Sequence, residues 1–463
     1  MNGVQSNLSL YKETNFNWVH STLLNDRIDA KNYKVEYLEL QRKIISQTYI
    51  RLRDVIEDIK NGFEVNRSYS DVGLKFLTVK DLKEFEINYS DIKKIDLHFR
   101  DIPEKGRLKE GDIIITRSGS IGIAKTITNN DEDIVISSDI IKLRVNNKID
   151  RDYLTTYLNS DTGRKLIEQL SYGAVIKKIG QEELLDLLIP IPSPEIQKYI
   201  GDKVRKAEEL REEAKRLKKQ AEEILINEIG FNNVNKGNAK YHWIKEDIVD
   251  DRIDSDFYDL KYQVLIEIEK KFNCYLMEDI IVDKYTGKTP GKEYDDIKGI
   301  PLIVVKNVEE NILNLDNIDR RIKDNNSFKK TEENDLLITR VGSVGVVSIV
   351  EENEKGLFLS DNVICLKLKE GLFNRYIAFY LNSIYGKLMV ERWTKGAVQG
   401  VINYESINKF KIPIMDNNIM KEIDLKILKW KQLLAISKQL IQEAKQDVED
   451  LIEGNFDMSK VKA

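Results

Sequence analysis

With 463 residues, the chain is long enough for two or three domains, each with its own core. One-third of its residues are charged and 41% are hydrophobic, with no apolar run near the length of a bilayer span, so a membrane-spanning helix is excluded and a soluble globular protein is expected. A formal charge of -5 argues against a protein that coats nucleic acid by charge alone, while leaving room for local basic faces.

In chain order, the opening "MNGVQSNLSLYKETNFNW" lacks the basic start and apolar stretch of a signal peptide, which points to the cytoplasm. Asp29 and Asp254 stand where helix N-caps are expected, ahead of "AKNYKVEYLELQRKI" and "SDFYDLKYQVLIEIEKK". In the first of these, Tyr33, Tyr37 and Leu40 fall at helical spacing. Short β-branched runs follow, among them "LKFLTV", "GDIIIT" and "DIIKLRV", separated by glycine and polar turns, and read as strands of a compact sheet or barrel. A helical piece around "RDYLTTYLNSDTGRKLIEQL" comes next, then an apolar "LLIPIPSP" whose prolines are expected to stop regular structure.

From Ile196 the pattern changes. Ala207, Leu210, Ala214, Leu217, Ala221 and Ile224 recur in alternating steps of three and four, the spacing of a narrow coiled-coil seam. Trp430, Leu433, Ser437, Leu440 and Ala444 hold the same register in the tail from Ile419. Two helices of this kind, each roughly 45 Å long, bury their stripes most simply by packing antiparallel on each other; the alternative is that each covers its own domain.

The tail matches because the whole chain is an internal repeat, sought before any fold assignment. "WVHSTLLNDRIDAKNYKVEY" from Trp18 returns as "WIKEDIVDDRIDSDFYDLKY" from Trp243, and "GLKFLTVKDL" from Gly73 returns as "GIPLIVVKNV" from Gly299. "GDIIITRSGSIG" returns as "NDLLITRVGSVG", "YLNSDTGRKL" as "YLNSIYGKLM", and "GAVIKKIG" as "GAVQGVINY". The offset drifts only between 223 and 226 residues, as two copies of one domain with small loop changes require. The fold class is therefore α+β: two repeated mixed α/β domains alternating with two long helices, related by a pseudo-twofold axis.

The repeat also excludes a nucleotide site. "GDIIITRSGSIG" has the look of a phosphate-cradling loop, but the second glycine a P-loop needs is Ala124, and "GSVGVVSI" in the other copy lacks both that glycine and the lysine. Two glycines three apart instead suit a tight turn between strands in which one takes positive φ. Arg117 and Arg340 at this turn either face a ligand or are tied to an internal carboxylate. Cys274 and Cys365, the only cysteines, suggest no disulfide framework, and His20, His98 and His242 have no metal-ligand spacing. No proline adjoins another, which removes the motif of a base-flipping adenine methyltransferase. The nearest approach to a nuclease's acid and lysine cluster, "DDIK" at Asp295, is missing from the other copy.

Taken in order, the "DRIDAKNY" start, the turn "GDIIITRSGSIG", the passage "GAVIKKIGQEELLDLLIPIPSPEIQKYI" and the duplicated domain and helix plan resemble the specificity (S) subunit of type I restriction-modification systems. The resemblance covers nearly the whole chain; the second copy departs from it where "IPIMDNNIMKEI" replaces the proline-rich "IPIPSPEIQKYI". It implies target-recognition domains over residues 1–195 and 236–418, with spacer helices over 196–235 and 419–463. It further implies that the chain is a non-catalytic DNA-recognition subunit. Double-stranded DNA, two methyltransferase (modification) subunits and restriction/translocase subunits would be its partners, and S-adenosylmethionine, ATP and Mg would belong to those subunits, with no cofactor in this chain. A related system with a fused methyltransferase-nuclease partner, or a scaffold that binds no DNA, remains an alternative.

Two unlike readers on a common framework suit an asymmetric, interrupted DNA site, and the copies differ most where "NGFEVNRSYSD" faces "KYTGKTPGKEYDDI". Candidate DNA contacts in those segments are Arg67, Tyr69, Lys288 and Lys292. Lys80 and Lys306 hold matched positions after the "TV" and "VV" runs, Arg117, Ser120, Arg340 and Ser343 lie on the glycine turns, and Lys177, Lys178, Gln399 and Asn403 lie in the "GAV" loops.

Overall fold

The computed structural model describes residues 30–64, 69–96, 101–131, 134–173, 175–230, 254–291, 294–295, 297–324, 328–394 and 400–462. The chain divides into two compact units, one of Met1–Glu209 with Ile436–Ala463 and one of Leu210–Ala435.

In the first unit the opening helix begins later than its spacing suggested. Ala30–Tyr33 form a 3-10 turn, Lys34 is extended with ψ 140°, and helix α1 runs Val35–Ile45. An extended residue cannot continue a helix, so Tyr33 packs from the turn and only Tyr37 and Leu40 belong to α1. Asp29 lies outside the described residues.

The main sheet contains β1 (Ile56–Asn61), β2 (Ile113–Thr116), β3 (Ala124–Thr126) and β4 (Ile140–Val145) in the order β1-β4-β2-β3, all antiparallel. Every residue of β2 is buried, and alternation explains its unbroken apolar run. Ile113 and Ile115 face a core with Tyr153 and Tyr157, while Ile114 faces a second core with Leu77 and Ile134. A second sheet, with strands Ile134–Ile136, Leu74–Leu77, Lys93–Ile95 and Tyr69–Ser70 in that order, supplies the second layer.

Helices α2 (Arg151–Asn159) and α3 (Asp161–Leu170) follow, broken at Ser160, whose hydroxyl accepts the Gly163 N–H at 3.1 Å. Asn159 holds α2 to the edge strand: its side chain accepts from Ala124 N at 3.0 Å and donates to Ala124 O at 2.8 Å. The "LLIPIPSP" segment is more regular than its prolines suggested. Leu188–Pro190 pair antiparallel with Tyr49–Arg51, fixed by the Tyr153 hydroxyl donating to Pro190 O at 2.8 Å. Pro194 then opens the long helix α4 (Pro194–Ile229), in the first turn, where its missing N–H costs nothing.

The second unit repeats this plan. Strands β5 (Ile281–Thr286), β6 (Leu336–Thr339), β7 (Val347–Ile349) and β8 (Val363–Leu368) are ordered β5-β8-β6-β7. Asp254 heads a 3-10 turn, Ser255–Tyr258, rather than an α-helix; α5 starts only at Gln263 and ends at Lys271. Helices α6 (Asn374–Asn382) and α7 (Ile384–Trp393) break at Ser383, and Asn382 clamps Val347 through bonds of 3.0 and 2.7 Å. The chain closes with the long helix α8 (Asn417–Glu453).

Both long helices cross the division between units, and they pair antiparallel within each. In the first unit Lys203 meets Asp447 at 2.7 Å while the Ser437 hydroxyl donates to Ala207 O at 2.8 Å. In the second unit Lys429 pairs with Glu213 at 2.9 Å, Lys426 donates to Gln220 at 3.0 Å, and the Lys218 ammonium lies 5.4 Å from the Trp430 ring centre. Ala207, Ala214, Leu217, Ala221, Trp430, Leu433, Ser437 and Ala444 are buried as the seam requires. Leu210, Ile224 and Leu440 are only partly buried, and Leu225 and Ile441 take the places expected for Ile224 and Leu440. An α-helix of 3.6 residues per turn lags a strict heptad by about 20° per repeat, so a step of four replaces a step of three. The same stripes enter the cores of the domains beside them, so pairing and covering are one arrangement rather than alternatives.

Candidate nucleic-acid interface

The repeated turn is built from its own hydroxyl. Thr116 Oγ1 donates to Ser120 O at 2.5 Å and accepts from Ile123 N at 2.9 Å; Thr339 Oγ1 makes the same bonds to Ser343 O and Val346 N. Both glycines take positive φ, +68° and +83° at Gly119 and Gly122, +78° and +79° at Gly342 and Gly345, where sequence reasoning asked for only one. The turn therefore pushes Ser120 and Ser343 into solvent.

The "GAV" loop lies against this turn. Gly119 N donates to Lys177 O at 3.1 Å, Ile179 N to Arg117 O at 2.9 Å, and Tyr172 and Lys178 exchange backbone bonds of 2.8 Å. Arg117 is half-buried and bonds backbone rather than a carboxylate: Nε donates to Ile179 O at 3.3 Å and Nη1 to Ser138 O at 3.5 Å. It ties three segments together. Lys177 pairs with Glu168, and that bond holds the Glu168 carboxyl below its usual range against the effect of burial. Tyr172, Val175 and Ile176 form an exposed tip beside the exposed Lys178.

On the other side of the turn lies Val79–Asp81, a 3-10 turn in which Asp81 Oδ2 accepts from Thr78 N at 3.0 Å and from the Thr78 hydroxyl at 2.6 Å. This leaves the Lys80 side chain 60% exposed, its ammonium 4.0 Å from the Asp81 carboxylate. Lys80 sits on the rim of two depressions. One, of about 630 Å³, includes Lys83, Gly119 and Ser120; the other, of about 470 Å³, includes Phe63, Tyr69, Phe76, Ser137 and Ser138. The fold thus brings Tyr69, Lys80 and Ser120 to one face, with the "GAV" loop against the same turn.

The second unit shares the framework but not the surface. Lys306 occupies the equivalent 3-10 turn, yet its ammonium pairs with Asp319 at 2.6 Å. Gly62 and Gly287 precede matched positions, because Phe63 N donates to Ile136 O and Lys288 N to Leu359 O. Phe63 is buried there and Lys288 is exposed. Ser343 lines a depression of about 660 Å³ with Asp259, Lys261, Lys387 and Glu391, and the Arg340 carbonyl accepts from Ile402 N at 3.1 Å. Asn403 serves the framework, since its side chain caps the short helix Tyr404–Asn408 by accepting from Ser406 N at 2.9 Å. Arg67, Lys292 and Gln399 lie outside the described residues.

Sequence reading passed over a matched cationic pair. Ile95 pairs with Leu74 and Lys94 with Lys75 in the first unit; Ile322 pairs with Ile300 and Arg321 with Pro301 in the second. Lys93 and Lys94 therefore match Arg320 and Arg321, adjacent cations at the strand Lys93–Ile95 in the first unit and at the strand Arg321–Ile322 in the second. The Arg320 guanidinium stands over the Tyr294 ring at 4.5 Å. The signal was "KKI" against "RRI", hidden between loops of unequal length.

A family model described as the type I restriction modification DNA specificity domain matches residues 49–223 and again 269–446, once on each copy. The chain belongs to this family. A type I restriction enzyme MjaX specificity subunit from Methanocaldococcus jannaschii is 22% identical over 423 residues, covering 87% of this chain and 91% of that protein. Among solved structures, the type I restriction-modification S subunit from M. genitalium covers 89% of this chain and 96% of its own, at 14% identity and a TM-score of 0.45. The HsdS subunit from Thermoanaerobacter tengcongensis covers 88% and 97%, at 15% identity and a TM-score of 0.28. Among the described residues, no helix is long and apolar enough to cross a membrane.

Proposed function

We propose that this chain is the DNA sequence-specificity subunit of a cytoplasmic type I restriction-modification complex. Each domain reads one half of an interrupted, asymmetric site. The paired helices set the unread spacing and hold two methyltransferase subunits, to which restriction subunits add. The chain itself is non-catalytic; S-adenosylmethionine, ATP and Mg belong to its partners. The observation that carries this reading is the family match on both copies, whose frameworks coincide while the side chains they present differ.

Methylation sequencing of cells with and without the gene tests it directly. A split motif present only with the gene is the expected result, and identical methylomes would overturn the proposal. Within the assembled complex, Lys80→Ala is expected to weaken DNA binding at all sequences alike and to flatten the slope of log affinity against log salt by about 1, as the loss of one phosphate contact does. Arg117→Ala is expected to act differently, lowering the thermal midpoint because it frees two carbonyls. If the two variants behave alike, the division between contact and framework residues is wrong.

A further inference from the structure

Both domains dock on the helix that follows them through buried ions, and the two copies supply those ions from opposite sides of the junction. In the first unit the ammonium is on the domain: Lys125 of β3 donates to Thr126 O at 3.1 Å and meets Asp131 at 3.0 Å and Glu208 of α4 at 3.4 Å. The equivalent of Lys125 is Ser348, and the equivalent of Glu208 is Lys431 of α8, each 223 residues on. Lys431 reaches across to donate to Ile349 O, the counterpart of Thr126 O, at the same 3.1 Å, and meets Glu351 at 2.9 Å and Glu354 at 3.9 Å. One ammonium occupies one place in both units, arriving from the strand in the first and from the helix in the second.

A carboxylate and a guanidinium are exchanged in the same way. Asp150 caps α2 by accepting from Asp152 N and Tyr153 N at 2.9 Å each. In the second unit its position is Phe373, and the equivalent N–H groups of Arg375 and Tyr376 donate instead to Asp424 of α8, at 2.9 and 3.2 Å. The residue matching Asp424 is Gly201, where a Cβ would lie 2.4 Å from Asp150 Oδ1. Arg205 of α4 binds Asp152 at 2.6 Å, whereas in the second unit the guanidinium is on the domain: Arg375, at the position of Asp152, binds Glu351 at 2.5 Å and approaches Asp424 at 3.5 Å.

We infer that each domain is matched by charge to its own helix segment, so that each of the two docking surfaces accepts only a domain of complementary polarity. A domain carrying Lys125 on a helix carrying Lys431 would place two ammoniums in one buried site. The reverse combination would leave Glu208, Glu351 and Glu354 with no ammonium among them and only Arg375 beside Glu351, and a buried charge left without its partner is strongly destabilising. A domain transplanted between the copies therefore needs the charges of its helix to travel with it.

Moving the ammonium within the intact chain tests this. Lys125→Ser and Glu208→Lys, made singly, are each expected to lower the thermal midpoint, on the order of 10 °C for a unit of this size. The double variant brings the ammonium to Thr126 O and Asp131 from the helix side, as Lys431 does in the second unit, and its midpoint should recover most of either loss. Ser348→Lys with Lys431→Glu is the reciprocal cycle, expected to behave the same way. Singles that leave the midpoint unmoved, or double variants no more stable than the sum of their singles, would overturn the inference. Failure of the doubles to fold counts against it in the same way, because each double returns one ammonium to the site beside Thr126 O or Ile349 O.

Discussion

Replacing Gly163 with alanine is expected to destabilise the first unit by on the order of 3 kcal/mol. A Cβ at Gly163 would stand 1.9 Å from Tyr157 O, and the backbone cannot retreat because Ser160 caps α3 and Asn159 ties α2 to β3. The same clash recurs at Gly386, whose Cβ would lie 2.3 Å from both Tyr380 O and Leu381 O. Gly119→Ala is the control. Nothing lies within 4 Å of its Cβ, so only the cost of a positive φ remains, roughly 1 to 2 kcal/mol. Thermal unfolding should therefore rank Gly163→Ala well below Gly119→Ala, with a midpoint some 6 to 12 °C under the wild type. Equal midpoints would mean that the break between α2 and α3 relaxes freely.

This contrast explains what the repeat made legible. "YLNS" followed by glycine returns intact because three local demands coincide: an asparagine clamp, a serine cap and a close backbone approach. The glycine turn returns because its threonine and two positive φ values are fixed within eight residues. Features that depend on distant partners were not legible. "LLIPIPSP" is a strand only because Tyr49–Arg51, some 140 residues earlier in the chain, pairs with it. Arg117 finds carbonyls from two other segments, and a sequence shows neither. The exchanged charges were hidden most completely, because residue-by-residue comparison reads Lys125 against Ser348 and Glu208 against Lys431 as two unrelated losses of similarity. Only their common place beside Thr126 O and Ile349 O makes them one substitution.

A four-residue insertion in each long helix, after Glu209 in α4 and after Ala435 in α8, is expected to change the recognised site without changing either half-site. The division between units falls at these two points, so each unit keeps its own contacts on either side of the added residues. Four residues add about 6 Å of helix, and at roughly 3.4 Å per base pair the unread spacer should lengthen by one or two base pairs. The seam can absorb the change: Leu217, Ala221, Leu225 and Ile229 already follow one another in steps of four, so another such step continues an existing pattern rather than breaking a heptad. Methylation sequencing of cells carrying the insertion reads both quantities at once. Altered half-site sequences with an unchanged spacer would sink the assignment of spacing to the helices and of base reading to the domains. Loss of all modification together with a lowered thermal midpoint would instead show that the seam does not tolerate the added step.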